Sequence, residues 1–173
     1  MGRGDSDILG PGTGMPTSAR QFVGLYSGEA ADGIDAVRVD IRGRGERMKV
    51  SQPKYAHAPF EPRLRKRVLA AASADQAPDL AALAELERDL SRAFAEAAAK
   101  VLPATDAEAS PVAAIGMSGQ PVRRIPGRTR EFPTALLELG SAEEVADRTS
   151  THVVSGFSAG DVALGGLGNA AHA

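Results

Sequence analysis

The residue types best suited to chemistry lie in one short segment bounded by glycines near the amino terminus. Gly28 and Gly33 bracket a turn that carries Asp32, and Asp35 follows shortly after. A tight turn between strands exposes successive backbone N–H groups, and such donors surround phosphate oxygens without obstruction from side chains. Asp32 and Asp35 are acidic residues that could hold Mg²⁺ directly or through water. The same pattern fits an ordinary hairpin, because Asp-Gly is a common turn pair.

Composition excludes several other kinds of site. The 173 residues contain no Cys, which excludes disulfide frameworks, Cys-ligated zinc, iron–sulfur clusters and thiol catalysis. The net charge of −2, from 20 basic and 22 acidic residues, is not that of a strongly basic nucleic-acid coat. Basic residues cluster at 63–67 and at 123–130. We interpret the first cluster as the solvated face of a helix. Few aromatic residues accompany either cluster, so we expect no nucleic-acid partner.

The sequence also bounds location and domain organisation. It contains no stretch of about 18 apolar residues, so no membrane span is predicted. The first twenty residues lack the apolar segment of a signal peptide, and we expect a cytoplasmic protein. Because residues 1–20 are rich in Gly and Pro, we interpret them as a flexible leader before one domain over residues 21–173. Residues 156–173 contain no predicted element, so we expect that domain to be truncated.

Alternation of apolar and polar residues predicts the strands that must position the Asp-Gly turn. Three short strands are predicted at residues 22–26, 35–42 and 48–52. Short turns join them, so they must be antiparallel neighbours. In the second strand Val37, Val39 and Ile41 alternate with polar residues, and we expect their side of the strand to be covered.

Helical signals follow the three strands. One helix is predicted from Pro62 to about residue 72, and a longer one between Pro78 and Pro103. The final third predicts strands at 112–117, 135–139 and 152–154, a loop at 121–133 and a short helix from Ser141 to Arg148. This order resembles that of the α/β ribonuclease-H-like half-domain of the actin and sugar-kinase class, a mixed sheet with three antiparallel amino-terminal strands and flanking helices.

Four blocks of the sequence resemble, in order, those of the anhydro-N-acetylmuramic acid kinase family. Residues 22–35 are similar to the family's strand and Met-Ser-Gly-Thr-Ser-x-Asp-Gly-x-Asp phosphate loop. Residues 114–120 are similar to its Ile-Gly-x-His-Gly-Gln block. Residues 137–154 and 161–168 are similar to the region that follows, which closes with a Gly-Gly-Gln-Gly loop. Together these blocks span about residues 21–168.

The resemblance implies an ATP-dependent sugar kinase of peptidoglycan turnover and amino sugar metabolism. Such an enzyme opens a 1,6-anhydro ring with water and phosphorylates the freed 6-hydroxyl, using ATP and Mg²⁺ on an anhydro amino sugar. The resemblance assigns contacts with ATP phosphates and Mg²⁺ to Gly28, Glu29, Ala30, Ala31, Asp32, Gly33, Ile34 and Asp35, with Asp32 as the metal ligand. It assigns the sugar cleft to Gln120, Asp161, Gly165 and Gly166. Family members are usually dimeric, which leaves a homodimer open.

Several positions depart from the family pattern. Glu29 and Ala30 stand where the family has Thr-Ser, and a carboxylate there repels a triphosphate at short range. Pro121 replaces a Thr and removes an N–H donor. The family's general base lies in an Asp-Thr-Gly-Pro motif that these 173 residues do not contain, so no catalytic residue is assigned. Two functions remain open: the amino-terminal part of such a kinase, inactive alone, or a non-catalytic remnant or nucleotide-binding module of the same fold.

Overall fold

A mixed five-stranded sheet organises the structure. The computed structural model describes residues 19–73, 75, 78–103, 111–127, 129 and 134–168. Strands β1 (Arg20–Tyr26), β2 (Gly33–Arg42) and β3 (Lys49–Pro59) form the predicted antiparallel meander. β4 (Val112–Ser118) pairs in parallel with β1. The predicted leader lies largely outside the described residues, and Arg20 already belongs to β1.

Two helices follow the meander, as the sequence predicts. α1 (Pro62–Ala72) begins with Pro62, whose missing N–H would have no helical partner at that position. α2 (Leu80–Ala99) begins after Asp79, whose carboxylate accepts the Ala82 N–H at 2.7 Å. None of the described helices is long and apolar enough to cross a membrane.

The remaining elements form a second, two-stranded sheet and complete the first. β5 (Gln120–Ile125) pairs antiparallel with β6 (Ala135–Leu139). α3 (Ala142–Thr149) then leads to β7 (Val153–Val154), which pairs in parallel with β4, and α4 (Phe157–Ala163) follows. The larger sheet has the order β3-β2-β1-β4-β7. The result is an α/β fold with a mixed sheet and flanking helices, as predicted.

The core lies between one face of the larger sheet and α2. Leu90 and Phe94 of α2 are fully buried in the same cluster as Val23 of β1, Ile34 of β2 and Ile115 of β4. Gly140 has a φ of 117°, and a Cβ added there would lie 2.8 Å from both the Phe94 ring and the Met117 methyl group. α2 therefore anchors the sheet end at which the Asp-Gly turn lies.

The prediction of which face of β2 is covered is wrong. Ile34 and Ala36 are fully buried, whereas Val37, Val39 and Ile41 are only half-buried on the opposite face of the strand. Period-two alternation separates the two faces of a strand but does not show which face the helix covers. The packing of α2 on Ile34 and Ala36 decides it.

Two segments predicted to lack regular structure form elements. Residues 120–125 are strand β5 rather than part of a loop, because a long-range partner, β6, supplies the pairing. Pro121 is tolerated there since the pairing shifts register between Pro121 and Arg123. The segment after residue 156 contains α4, whose Phe157 ring lies over Gly116 on the sheet face opposite the core.

Candidate functional site

The loop between β1 and β2 turns its carbonyl groups toward the protein. The Ala31 N–H donates to the Gly28 carbonyl at 3.1 Å, and the Phe60 N–H donates to the Asp32 carbonyl at 3.0 Å. Ala31 is buried and has a left-handed backbone with φ of 48°. Of the amide N–H groups of residues 27–32, only that of Ala31 has an acceptor among the described residues.

Side chains of Arg65 and Ser27 donate hydrogen bonds to other carbonyls of the turn. Arg65 of α1 donates from Nε to the Ala31 carbonyl at 3.0 Å and from Nη2 to the Ala30 carbonyl at 3.5 Å. Ser27 Oγ lies 2.7 Å from the Gly33 carbonyl. A Cβ at Gly33 would lie 2.4 Å from the Ala58 carbonyl oxygen, so the strand approach requires glycine. The loop is thus fixed from the protein side.

Gln120, predicted to line a sugar cleft, is fully buried against this loop. Its Nε2 donates to the carbonyls of Gly28 at 3.0 Å and Pro121 at 2.9 Å, so both amide protons are used. Its Oε1 lies 2.7 Å from Ser27 Oγ, whose single proton serves either this oxygen or the Gly33 carbonyl. Gln120 joins the start of β5 to the loop.

The two acidic candidates differ in their surroundings. Asp35 Oδ1 accepts the Tyr55 hydroxyl at 2.6 Å and lies 2.9 Å from His57 Nδ1. The Tyr55 hydrogen bond is the main cause that lowers the pKa of Asp35; burial opposes it, and His57 adds to it. The same hydrogen bond raises the pKa of Tyr55. Asp32 is exposed, and its carboxylate has no hydrogen bond or ion pair within the described ranges.

Two of the other residues assigned to phosphate contact, Ala31 and Ile34, can offer a ligand only their backbone. The side chains of Ala31 and Ile34 belong to the hydrophobic core. Across the described parts of the chain, no three His, Asp or Glu side chains converge as a metal cage. Mg²⁺ usually keeps several waters and binds through one or two carboxylates plus substrate phosphates, and exposed Asp32 fits that mode.

Arg124 joins the loop to two other segments. Its Nη2 lies 3.1 Å from Glu29 Oε1, and its Nη1 donates to the Leu167 carbonyl at 2.6 Å. Burial raises the pKa of Glu138 of β6, while a hydrogen bond from Ser158 and the charge of the same guanidinium lower it less strongly. Ser158 Oγ donates to Glu138 Oε1 at 2.8 Å.

The remaining predicted sugar-cleft residues form the loop that follows α4. Asp161 Oδ2 accepts the Gly168 N–H at 2.8 Å, so its carboxylate organises the loop. A Cβ at Gly166 would overlap the Asp161 carboxylate, so a larger residue there would displace this carboxylate. Gly165 has a φ of 92°, which favours glycine.

The structure therefore brings all the predicted site segments to one region, with Gln120 and Arg124 as the connecting side chains. Sequence reasoning missed the roles of Arg65 and Arg124. Nothing local distinguishes Arg65 from the other basic residues of α1. The signal for Arg124 was the unusual Glu29, a carboxylate in the predicted phosphate loop with which a cation can pair.

Comparison with known proteins identifies the family. A family model described as anhydro-N-acetylmuramic acid kinase matches residues 20–171, most of the chain. The chain belongs to the anhydro-N-acetylmuramic acid kinase family. Recognition of the family from the four sequence blocks is confirmed.

Individual relatives carry the same name. The anhydro-N-acetylmuramic acid kinase of Thiobacillus denitrificans is 36% identical over 155 residues, covering 89% of this chain and 39% of that protein. The Synechocystis kinase is 36% identical over 152 residues, 84% of this chain and 37% of its own length. The Aliivibrio fischeri kinase is 32% identical over 148 residues, 86% and 38% respectively. The chain spans less than two-fifths of the length of these anhydro-N-acetylmuramic acid kinases.

Proposed function

We propose that this chain is the phosphate-binding part of an anhydro-N-acetylmuramic acid kinase and that residues 28–35 bind the phosphates of ATP. One observation carries the proposal: the loop's carbonyls are held by Phe60, Arg65 and Gln120, while neighbouring amide N–H groups have no acceptor among the described residues. Successive N–H groups in such a turn form a concave anion site. An ordinary hairpin loop would not need three outside donors on its carbonyls.

Asp32 is the proposed Mg²⁺ ligand, together with the nucleotide phosphates. Its carboxylate is exposed, whereas that of Asp35 is engaged by Tyr55 and His57. We propose that Asp35 supports the loop through these contacts. We also propose that Asp161, Gly165 and Gly166 shape the acceptor sugar's side of the site, and that Gln120 acts by positioning Gly28.

The activity that we propose for the whole protein is the one that its relatives' name describes. The whole protein uses ATP to phosphorylate an anhydro amino sugar at the freed 6-hydroxyl. It acts as a homodimer in the cytoplasm, as part of peptidoglycan turnover. The strand order β3-β2-β1-β4-β7 supports the proposed ribonuclease-H-like class.

The test is nucleotide binding by the purified chain. We expect wild type to bind Mg·ATP and Asp32→Ala to bind it about tenfold more weakly or worse, since loss of one group at a metal site has effects of that size. Affinity for ATP without Mg²⁺ should change far less. Isothermal titration calorimetry with and without Mg²⁺ measures both, and circular dichroism verifies the fold.

Asp147→Ala is the matched control, because Asp147 is an exposed carboxylate on α3 and its substitution alters net charge equally. Binding by Asp147→Ala should equal that of wild type. If wild type binds no Mg·ATP, the assignment of the loop is wrong. If Asp32→Ala and Asp147→Ala bind Mg·ATP equally, Asp32 is not the metal ligand.

A further inference from the structure

Arg124 is the cation that faces the exposed end of the candidate phosphate loop. Its side chain is 24% exposed and pairs with Glu29, whose side chain is 71% exposed. The pair connects the β1–β2 loop to the loop after α4, because Arg124 also donates to the Leu167 carbonyl. Its ion-pair and hydrogen-bond partners among the described residues are thus Glu29 and the Leu167 carbonyl, and its charge also acts on Glu138.

The hydrogen-bonding capacity of Arg124 is not exhausted. Its Nε is buried and has no acceptor within the part of the chain that the structure describes. A guanidinium presents five N–H donors in a planar fork that matches two oxygens of a carboxylate or phosphate. Glu29 supplies one carboxylate oxygen to this fork, at Nη2.

The contact with Glu29 is readily exchanged. Glu29 is highly exposed, and an exposed ion pair contributes little to stability, since water solvates both partners and the long side chains lose freedom. Glu138 accepts a hydrogen bond from Ser158, so its position does not depend on Glu29. An oxyanion that takes the place of the Glu29 carboxylate would neutralise the positive charge of Arg124 in the same way.

We infer that Arg124 is an oxyanion-binding residue of this site and that Glu29 is its exchangeable internal counter-ion, displaced when a phosphoryl or carboxylate group of a ligand binds. Glu29 then weakens ligand binding by competition, and Arg124 selects ligands that carry such a group. The nucleotide form of this inference rests on the proposed function; the oxyanion chemistry of Arg124 does not.

The experiment measures dissociation constants for inorganic phosphate, acetate and Mg·ADP by NMR titration of the ¹⁵N-labelled chain, including the arginine Nε–H signals. Glu29→Gln should tighten phosphate binding about 1.5- to 5-fold, the range expected when an exposed ion pair is removed. Arg124→Gln should weaken it about tenfold or more, since hydrogen bonds to charged groups are the stronger ones. In the double variant the gain from Glu29→Gln should disappear, because the two residues act as a unit.

Arg123→Gln is the matched control on the same strand. Arg123 donates to the Ser73 carbonyl at 2.9 Å and has no contact with Glu29, so its substitution should leave phosphate binding unchanged. Arg124→Lys keeps the charge but loses the fork, and it replaces Arg124→Gln if that variant does not fold. Tighter binding of phosphate than of acetate indicates a phosphoryl source for the oxyanion, and the reverse indicates a carboxylate.

The outcomes separate this inference from the proposed function. Failure of both wild type and Glu29→Gln to bind phosphate and acetate overturns the inference. The inference is also overturned if wild type and the Arg124 variant have equal affinity for each probe that binds. If Mg·ADP is among those probes, the proposed function still stands. Phosphate binding that depends on Arg124, without any Mg·ADP binding, supports the inference and overturns the nucleotide site.

Discussion

At the scale of single residues, the Asp-Gly turn contains two carboxylates that the fold treats differently. Asp35 lies in β2 opposite Tyr55 and His57 of β3, which bind its Oδ1, while Asp32 extends into solvent. The register between β2 and β3 makes this difference, because it pairs Asp35 with His57 and sets Tyr55 two residues away on the same face. Sequence alone left both residues as metal candidates.

The pKa of Asp35 is lowered in the folded protein, and substitution of its hydrogen-bond donor tests this shift. Ionised Asp35 stabilises the fold above the carboxyl's ordinary pKa of 3.8, and this contribution is lost as pH falls through the lower value of the folded chain. Tyr55→Phe removes the main cause, so the pKa of Asp35 should rise toward 3.8. NMR titration of the Asp35 carboxyl carbon measures it.

Tyr26→Phe is the control for that experiment. Tyr26 pairs with Asp35 across the β1–β2 ladder, but its hydroxyl makes no hydrogen bond to Asp35 in the described structure. Its substitution should leave the pKa of Asp35 unchanged. An unchanged Asp35 pKa in Tyr55→Phe would show that the hydroxyl does not bind the carboxylate in solution.

At the scale of elements, α2 holds the sheet through its apolar stripe. Leu86, Leu90 and Phe94 are buried at helical spacing, as the sequence pattern predicts. The cap of α3 was equally accessible from sequence, because Ser141 with Glu144 three residues later is typical of a helix start: Ser141 accepts the Glu144 N–H at 3.1 Å. The second half of a capping box is not formed there, because the Ser141 N–H donates to Ser91 Oγ of α2 at 2.8 Å instead.

Phe94→Ala should lower the free energy of unfolding by about 3–5 kcal/mol, because it removes a fully buried ring and leaves a cavity. Urea denaturation followed by circular dichroism measures the change. Leu80→Ala, at a position 85% exposed on the same helix, should change the unfolding free energy by about 0.5 kcal/mol or less. Equal effects of the two substitutions would mean that α2 does not pack on the sheet as described.

At the scale of the whole molecule, the chain unites candidate phosphate and sugar segments but contains no Asp-Thr-Gly-Pro motif for a general base. We expect these 173 residues to bind Mg·ATP without detectable turnover. Incubation with ATP and 1,6-anhydro-N-acetylmuramic acid, followed by mass spectrometry for the 6-phosphate, tests this expectation. The full-length Thiobacillus denitrificans relative is the positive control, and product above the no-enzyme blank would contradict the prediction.

The sequence by itself determined the features that depend on near neighbours in the chain. These are the three-strand meander, the two central helices, the cap at Ser141, the Asp-Gly turn and the ordered blocks that indicate the family. Periodicity and capping depend on residues up to four positions apart, so they can be read locally.

Only the tertiary structure decided which face of β2 is covered, that residues 120–125 form a strand, and that Arg65 and Arg124 hold the candidate site. Each of these features needs a partner distant in sequence. The Glu29 carboxylate illustrates the reason: the sequence shows only an acidic residue in a phosphate loop, and the fold gives it Arg124 of β5 as a counter-ion. The fold sets which charges meet, and local sequence does not.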